Sequence, residues 1–546
     1  MTAIVPLEAF LDHYYRRRPV NATFTGIHTF DGELPDWSPE GLEACAGEMQ
    51  ALRRQLERDF ARHTGPRWPD RVDIELAADF LDIQIAEIES GHFQHRNPAL
   101  FTGEAIFGVI ALVTRDFAPI HERLEAVASR LRAIPAFLAQ ARRSIGGRPV
   151  PDDWRARARR ECEAAAILLD RGLSILLERE PVAPSLAETL LGAAPAARGA
   201  FAEFSEWLAR DVASSDRAAC GPDFFDRLLA RGHRVRASRA DLLKEARAHL
   251  DETLMRLDEA ARRADPGGWP AVQARLAAER PAPEHYLAAF QRAWDACRAA
   301  AIARRLVTWP DFPIRYVPIP DHTRDAAPLL YYLSYRSPAP FDRLPIHDYA
   351  VPASCSQSAI TLNHVVHHGA IGHHVQNCYA YRSPSRVGRI AAVDTASRIG
   401  FFSGGTLAEG WACYATDLME EVGFLSELER VSQQHSRIRQ LARAVVDIEL
   451  HQGTFSVEQA VALYRDRAGM TDEAARQEVT KNGMFPGAAV MYWIGTEGIH
   501  RLRAERARAE TAGFSLQAFH DRVLSYGAIP VPLIADLMQG DASCDR

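Results

Sequence analysis

Five histidines fall within eleven residues in the run Asn363-His364-Val-Val-His367-His368-Gly-Ala-Ile-Gly-His373-His374-Val-Gln376. With 20 histidines in 546 residues, chance puts fewer than one in a window of that length. Imidazole is the commonest protein ligand for a metal ion near neutral pH, so the run predicts a buried divalent-metal site, with zinc as the leading ion. On an undistorted helix, positions three and four apart share a face. That brings His364, His367, His368 and His374 together and turns His373 away, unless Gly369 and Gly372 distort the turn. Ordinary hydrogen-bonded histidines are the competing explanation, and a cluster this dense makes it the poorer one.

A zinc site takes three or four ligands, commonly completed by a carboxylate from a second helix, and keeps one position for water when it is catalytic. Glu409, in Thr406-Leu-Ala-Glu409-Gly-Trp411-Ala-Cys413-Tyr414, is the carboxylate that fits. Thr406 and Glu409 also have the spacing of a capping box, in which Glu409 would only bond the first amide of its own helix. Arg443, Asp447 and His451 recur at intervals of four on a strongly apolar helix, so their charges must be paired. Either they form an internal ion pair that fixes helix packing, or Arg443 meets an anionic substrate group while Asp447 or His451 supports the metal ligands from behind. His364 and Gln376 are further candidates for support or for substrate contact. Pro486 is suited to starting a helix, which would place Tyr492 two turns in.

The histidine run, the later Ala408-Glu409-Gly410-Trp411-Ala412-Cys413-Tyr414-Ala415, and Pro486-Gly487-Ala488-Ala489 with Tyr492 and Gly495 together resemble the bacterial domain-of-unknown-function 885 family, DUF885. Its members typically read His-Glu-x-x-Pro-Gly-His-His-x-Gln and then Glu-Gly-Trp-Ala-x-Tyr, and a weaker echo runs here from Arg18 to Gly26. That family is similar to helical zinc peptidases of the gluzincin type. The resemblance implies an all-α, oligopeptidase-like fold around a deep central cleft, with His367 as first ligand, His373 or His374 as second and Glu409 as third. It also makes Tyr492 a candidate hydrogen-bond donor to a developing oxyanion, against the alternative of a buried tyrosine with a satisfied hydroxyl.

One departure bears on the chemistry. His368 stands where the family has glutamate, and Ile371 where it has proline. In gluzincins that glutamate takes a proton from water and returns it to the leaving amine. His368 can replace it as base, since an unperturbed imidazole titrates near ~6.5. It can instead be a further ligand, which would close a tetrahedral zinc site and favour iron or manganese, or it can leave the site hydrolytically inert. The expectation is a metal-dependent enzyme acting on a small amide, ester or short peptide-like substrate, with ordinary peptidase action weakened by His368. A non-hydrolytic metalloenzyme (lyase, isomerase or redox) and a non-catalytic metal- or ligand-binding protein are the alternatives.

The elements that must position these residues fall into three portions of what reads as one continuous domain. Residues 1–305 carry apolar residues at helical spacing, as in Leu169, Leu173, Leu176 and Leu177, or Leu242, Leu243, Ala246 and Leu250. Residues 306–357 are dense in proline, which excludes helix interiors and predicts extended segments or short strands bordering the cleft, with Tyr331 and Tyr332 read first as core packing and second as cleft lining. Residues 358–546 return to helix and hold the metal site. Hydrophobic residues at 47%, charged residues at 25% and a net charge of -7 with dispersed basic residues describe an ordinary globular protein without a nucleic-acid footprint. The opening residues lack a basic-then-apolar leader, no eighteen-residue apolar run occurs, and the eight cysteines are widely spaced. These features predict a cytoplasmic protein with reduced cysteines and no membrane partner. They set no oligomeric state.

Overall fold

The computed structural model describes residues 5–62, 68–330, 338–391 and 402–544. Helices dominate. Among these residues the strands form two parallel pairs, Val150–Pro151 with Ser214–Ser215 and Ile314–Pro318 with His347–Val351. The fold is all-α with a small β portion, as composition and periodicity predict.

The helix Arg239–Ala264 shows why. Leu242, Ala246, Leu250, Leu257 and Ala261 recur on one face and are buried, and Ser238 starts the helix by accepting the amide of Asp241. Each buried leucine stabilises this packing by about 2 kcal/mol. The partner surface is Glu427–His451, opened by a capping box between Ser426 and Glu429.

Among the described residues, three apolar cores organise the molecule. One gathers Val5–Arg17, Pro39–Arg62 and Trp68–Glu89 with Tyr286–Ala303, the histidine run, Gly405–Glu421 and the C-terminal helices. A second lies among the helices between Pro98 and Arg210, and a third joins Arg239–Ala278 to the helices between Glu427 and Val490. Helices far apart in sequence therefore meet around the histidine run. The strand pair Ile314–Pro318 and His347–Val351 packs beneath it, with Tyr316 and Tyr349 in register and buried. Tyr331 and Tyr332 lie outside the described residues. Among the described residues, no helix is long and apolar enough to cross a membrane.

Candidate metal centre

The histidine run is not one regular helix. After a short turn at Gln357–Ala359, residues Ile360–Gly369 are wound as a π-helix, the i→i+5 form that widens each turn. The chain then leaves helical geometry at Ala370 (φ -127°, ψ -113°) and Gly372 (φ -73°, ψ -121°), and a new helix begins at His373. The amides of Ala370 and Gly372 reach back to Val365 O at 2.8 Å and Val366 O at 2.9 Å. Gly372 is required here, because a Cβ at that position would lie 1.9 Å from the carbonyl oxygen of His367.

Such a break frees backbone carbonyls that must find donors when buried. Two tryptophans from distant helices supply them. Trp294 Nε1 donates to Gly369 O at 2.8 Å and Trp411 Nε1 donates to Ile371 O at 2.8 Å. The bend is thus fixed from both sides by indole N–H groups.

Its consequence is that His373 turns in and His374 turns out. The ring nitrogens of His367, His368 and His373 converge to within 4.8 Å of one another. His374 instead donates Nε2–H to Phe312 O at 2.8 Å and stacks on the Phe312 ring. His364 sits behind the cluster with Nδ1 2.6 Å from the Tyr349 hydroxyl. His368 Nδ1 is 2.8 Å from Asn363 O. A carbonyl can only accept, so the proton is on Nδ1 and the Nε2 lone pair is left for the cluster. Gln376, one turn beyond His373, is 1% exposed and neither of its amide atoms has a hydrogen-bond partner.

Glu409 comes from the helix Gly405–Glu421. The capping box is not formed: Gly404 occupies the N-cap position, and Thr406 Oγ1 accepts the amide of Val531 at 3.2 Å. Glu409 Oε2 lies 3.6 Å from His367 Nε2 and 3.4 Å from His373 Nε2. The placement follows from a close helix crossing with Val490–Glu510, where Gly410 and Gly495 touch. A Cβ on Gly410 would lie 2.6 Å from Gly495 Cα, and one on Gly495 would lie 2.1 Å from Thr406 O. Larger residues at either position would push the two helices apart and shift Glu409.

The electrostatics suit a cation. Burial alone would push the Glu409 carboxyl up, but the neighbouring His373 and His367 outweigh it and hold the group well below the usual carboxylate range. Burial lowers His367, and burial with the adjacent rings lowers His368 well below its ordinary value. Burial thus biases His367 and His368 toward the neutral, ligating form, while Glu409 is biased toward the carboxylate. Glu409 Oε2 is buried without a hydrogen-bond partner, while His367 and Glu409 each retain 17% side-chain exposure. Zinc ligands about 2.0–2.2 Å from an ion lie within about 4.4 Å of one another, so these donors fit one ion after small movements.

Asp447, His451 and Tyr492 belong to a neighbouring construction. The helix carrying Tyr492 starts at Val490, not at Pro486, because Gly487 (φ +74°) turns the chain between them. Tyr492 therefore lies in its first turn. Asp447 accepts the amides of Gly487, Ala489 and Val490 at 3.3, 3.1 and 2.9 Å, and its burial pushes the carboxyl up to about 7. His451 Nε2 meets Asn482 O at 2.9 Å, His92 Nε2 meets Gly483 O at 2.9 Å, and His233 Nε2 meets Gly487 O at 2.8 Å. Four buried side chains thus hold residues 482–490 in place. His92 and His233 carry no local signal, since their partners lie hundreds of positions away. Arg443 makes a bidentate pair with Glu478 at 2.9 and 2.5 Å, and its guanidinium carbon stands 5.0 Å from the Tyr492 ring centroid.

Residues 19–538 match the family model described as "Bacterial protein of unknown function (DUF885)". A solved structure described as "a putative lipoprotein of unknown function from Shewanella oneidensis" is 20% identical, with a TM-score of 0.73 over 98% of this chain and 99% of that one. The "putative lipoprotein from Colwellia psychrerythraea" is 15% identical, with a TM-score of 0.78 over 97% of each chain. No curated protein matches. At such identities the likeness establishes a shared fold. The cytoplasmic location expected above is overturned by the description of both neighbours as lipoproteins. Residue spacing and unpaired cysteines report chemistry and packing, and neither carries an address.

Proposed function

The chain belongs to the DUF885 family, and from that premise we propose that it is a metal-dependent enzyme acting on a small amide, ester or short peptide-like substrate. The observation that carries this reading is the convergence of the His367, His368 and His373 ring nitrogens, with Glu409 from a third helix 3.6 Å from His367 and 3.4 Å from His373. His367, His373 and Glu409 would hold the ion, with zinc leading and iron or manganese as alternatives. A bound zinc ion would supply Lewis-acid polarisation of the substrate carbonyl.

The remaining residues have assignable tasks. His368, fixed through Nδ1 by Asn363 O, turns its Nε2 lone pair to the cluster and is the proton acceptor of this scheme. Tyr492 is the donor to the oxygen on which charge develops. In this reading the layout follows that of gluzincin peptidases, with His368 taking the place of their glutamate. An imidazole held well below its ordinary pKa is a weaker base, so slow turnover of activated esters and amides is expected rather than vigorous peptide hydrolysis.

A second reading follows from the same 4.8 Å cluster, in which His368 is a fourth ligand. It gives a non-hydrolytic metalloenzyme with iron or manganese, or a metal-binding protein without turnover. Zinc titration and turnover of the His368→Ala variant separate the two. Unchanged affinity with lost turnover of a chromogenic ester supports the base, and a large loss of affinity makes His368 a ligand. Stoichiometric metal retained in both His367→Ala and Glu409→Ala would sink the whole scheme.

A further inference from the structure

Beside Tyr492, three cations gather around one carboxylate. Arg443 is paired with Glu478, Arg439 Nη2 lies 3.3 Å from Glu478 Oε1, and Lys481 Nζ stands 5.9 Å from the Tyr492 ring centroid, on which Arg443 also sits. Burial would push Glu478 up, but Arg443, Lys481 and Arg439 together hold it far below the usual carboxylate range. Arg443 and Arg439 already set two positive charges against the single carboxylate of Glu478, and Lys481 stands beside them. Arg439 keeps 41% side-chain exposure, against 18% for Arg443 and 13% for Glu478, so the group opens to solvent on the Arg439 side.

The group also adjoins the histidine cluster. The Thr496 hydroxyl lies 2.7 Å from Tyr492 O and 3.4 Å from Gly410 O, which joins the Tyr492 turn to the peptide next to Glu409. Arg443 is close enough to His367 for its charge to disfavour protonation of that ring. Partly buried like charges repel, and an anion placed among them would relieve that repulsion.

We propose that this cationic wall is a subsite for an anionic group of the ligand, a carboxylate or a phosphate. Arg439 and Lys481 supply its contacts, and Arg443, held by Glu478, backs them and the Tyr492 ring. Guanidinium and ammonium together suit a carboxylate or phosphate oxygen pair. The inference rests on the proposed function only in placing the reacting bond at the histidine cluster.

Calorimetric titration of chelator-treated protein tests it without metal or turnover, using succinate, inorganic phosphate and the neutral succinamide. The expected result is saturable binding of one or both anions, weakening with added salt, and none of succinamide. The stronger of succinate and phosphate identifies the anion. Arg439→Gln and Lys481→Gln should each weaken binding by about tenfold or more, whereas the charge-preserving Arg439→Lys and Lys481→Arg should retain it. Absence of saturable binding, or affinity unchanged in both glutamine variants, overturns the subsite even if the metal scheme holds. Anion binding in a protein that takes up no metal would support the subsite and overturn the proposed function instead.

Discussion

Replacing Trp411 by phenylalanine removes one indole N–H from the bend that separates His367 from His373. Trp411 is 0% exposed and so is Ile371, whose carbonyl it bonds at 2.8 Å, so no water replaces the lost donor. A buried acceptor left unpaired costs about 1–3 kcal/mol. The smaller ring adds about 1 kcal/mol of lost packing. The sum, about 2–4 kcal/mol, should appear as a lower urea midpoint for the metal-free protein. Trp294→Phe is the control, because its bond to Gly369 O is only partly buried and its loss should cost nearer ~1 kcal/mol. Ile371 is two residues from His373, so a relaxed bend also misplaces that ring. Each 1.4 kcal/mol withheld from the liganded geometry is about tenfold in affinity, and zinc competition against a chromophoric chelator reads it. If Trp411→Phe is no less stable than Trp294→Phe and binds zinc as the parent does, the account of the bend is wrong.

Gly372→Ala places a methyl group on the His367 carbonyl and should abolish zinc binding while far-UV circular dichroism of the helices elsewhere persists; near-parental zinc affinity would contradict it. Asp447→Ala strips the acceptor from the amides of Gly487, Ala489 and Val490, and hydrogen exchange at those amides should accelerate strongly, with Asp447→Asn milder; unchanged protection would refute the clamp. His28 lies 2.8 Å from Asp31 and 2.7 Å from Asp342, and although burial opposes it, these carboxylates raise its pKa to about 9. Its folded value is above the unfolded ~6.5, so this stabilisation is complete below about pH 6.5 and fades as pH rises through about 9. The urea midpoint should fall across that window, and His28→Gln should flatten the slope.

Much of this was legible in the sequence, and particular residues show where legibility ended. Apolar spacing at Leu242, Ala246 and Leu250 announced helix, and the prolines of 306–357 announced the extended segments Ile314–Pro318 and His347–Val351, because both are local constraints on the backbone. The density of histidine announced a cluster. Which of His373 and His374 joins it was not readable, since the answer depends on a π-helical turn and a bend braced by Trp294 and Trp411 from other helices. Likewise Glu409 fitted a capping box as well as a ligand. The Gly410–Gly495 crossing places it, and no local pattern encodes a crossing. Asp447 and His451 were correctly read as buried and in need of partners. Those partners are mainly backbone groups of residues 482–490, with the Cys220 amide on His451 and a 3.5 Å approach between His451 and Asp447, and His92 and His233 join there from sequence positions with no periodic relation to them.

The most direct test of the central claim is zinc stoichiometry after stripping and reloading, measured by elemental analysis on the parent and four variants. One ion per chain is expected in the parent and in His374→Gln, whose ring is engaged with Phe312, and loss of the ion in His367→Ala, His373→Ala and Glu409→Ala. Retention of a full equivalent in His373→Ala and Glu409→Ala, or its loss in a folded His374→Gln, would contradict it.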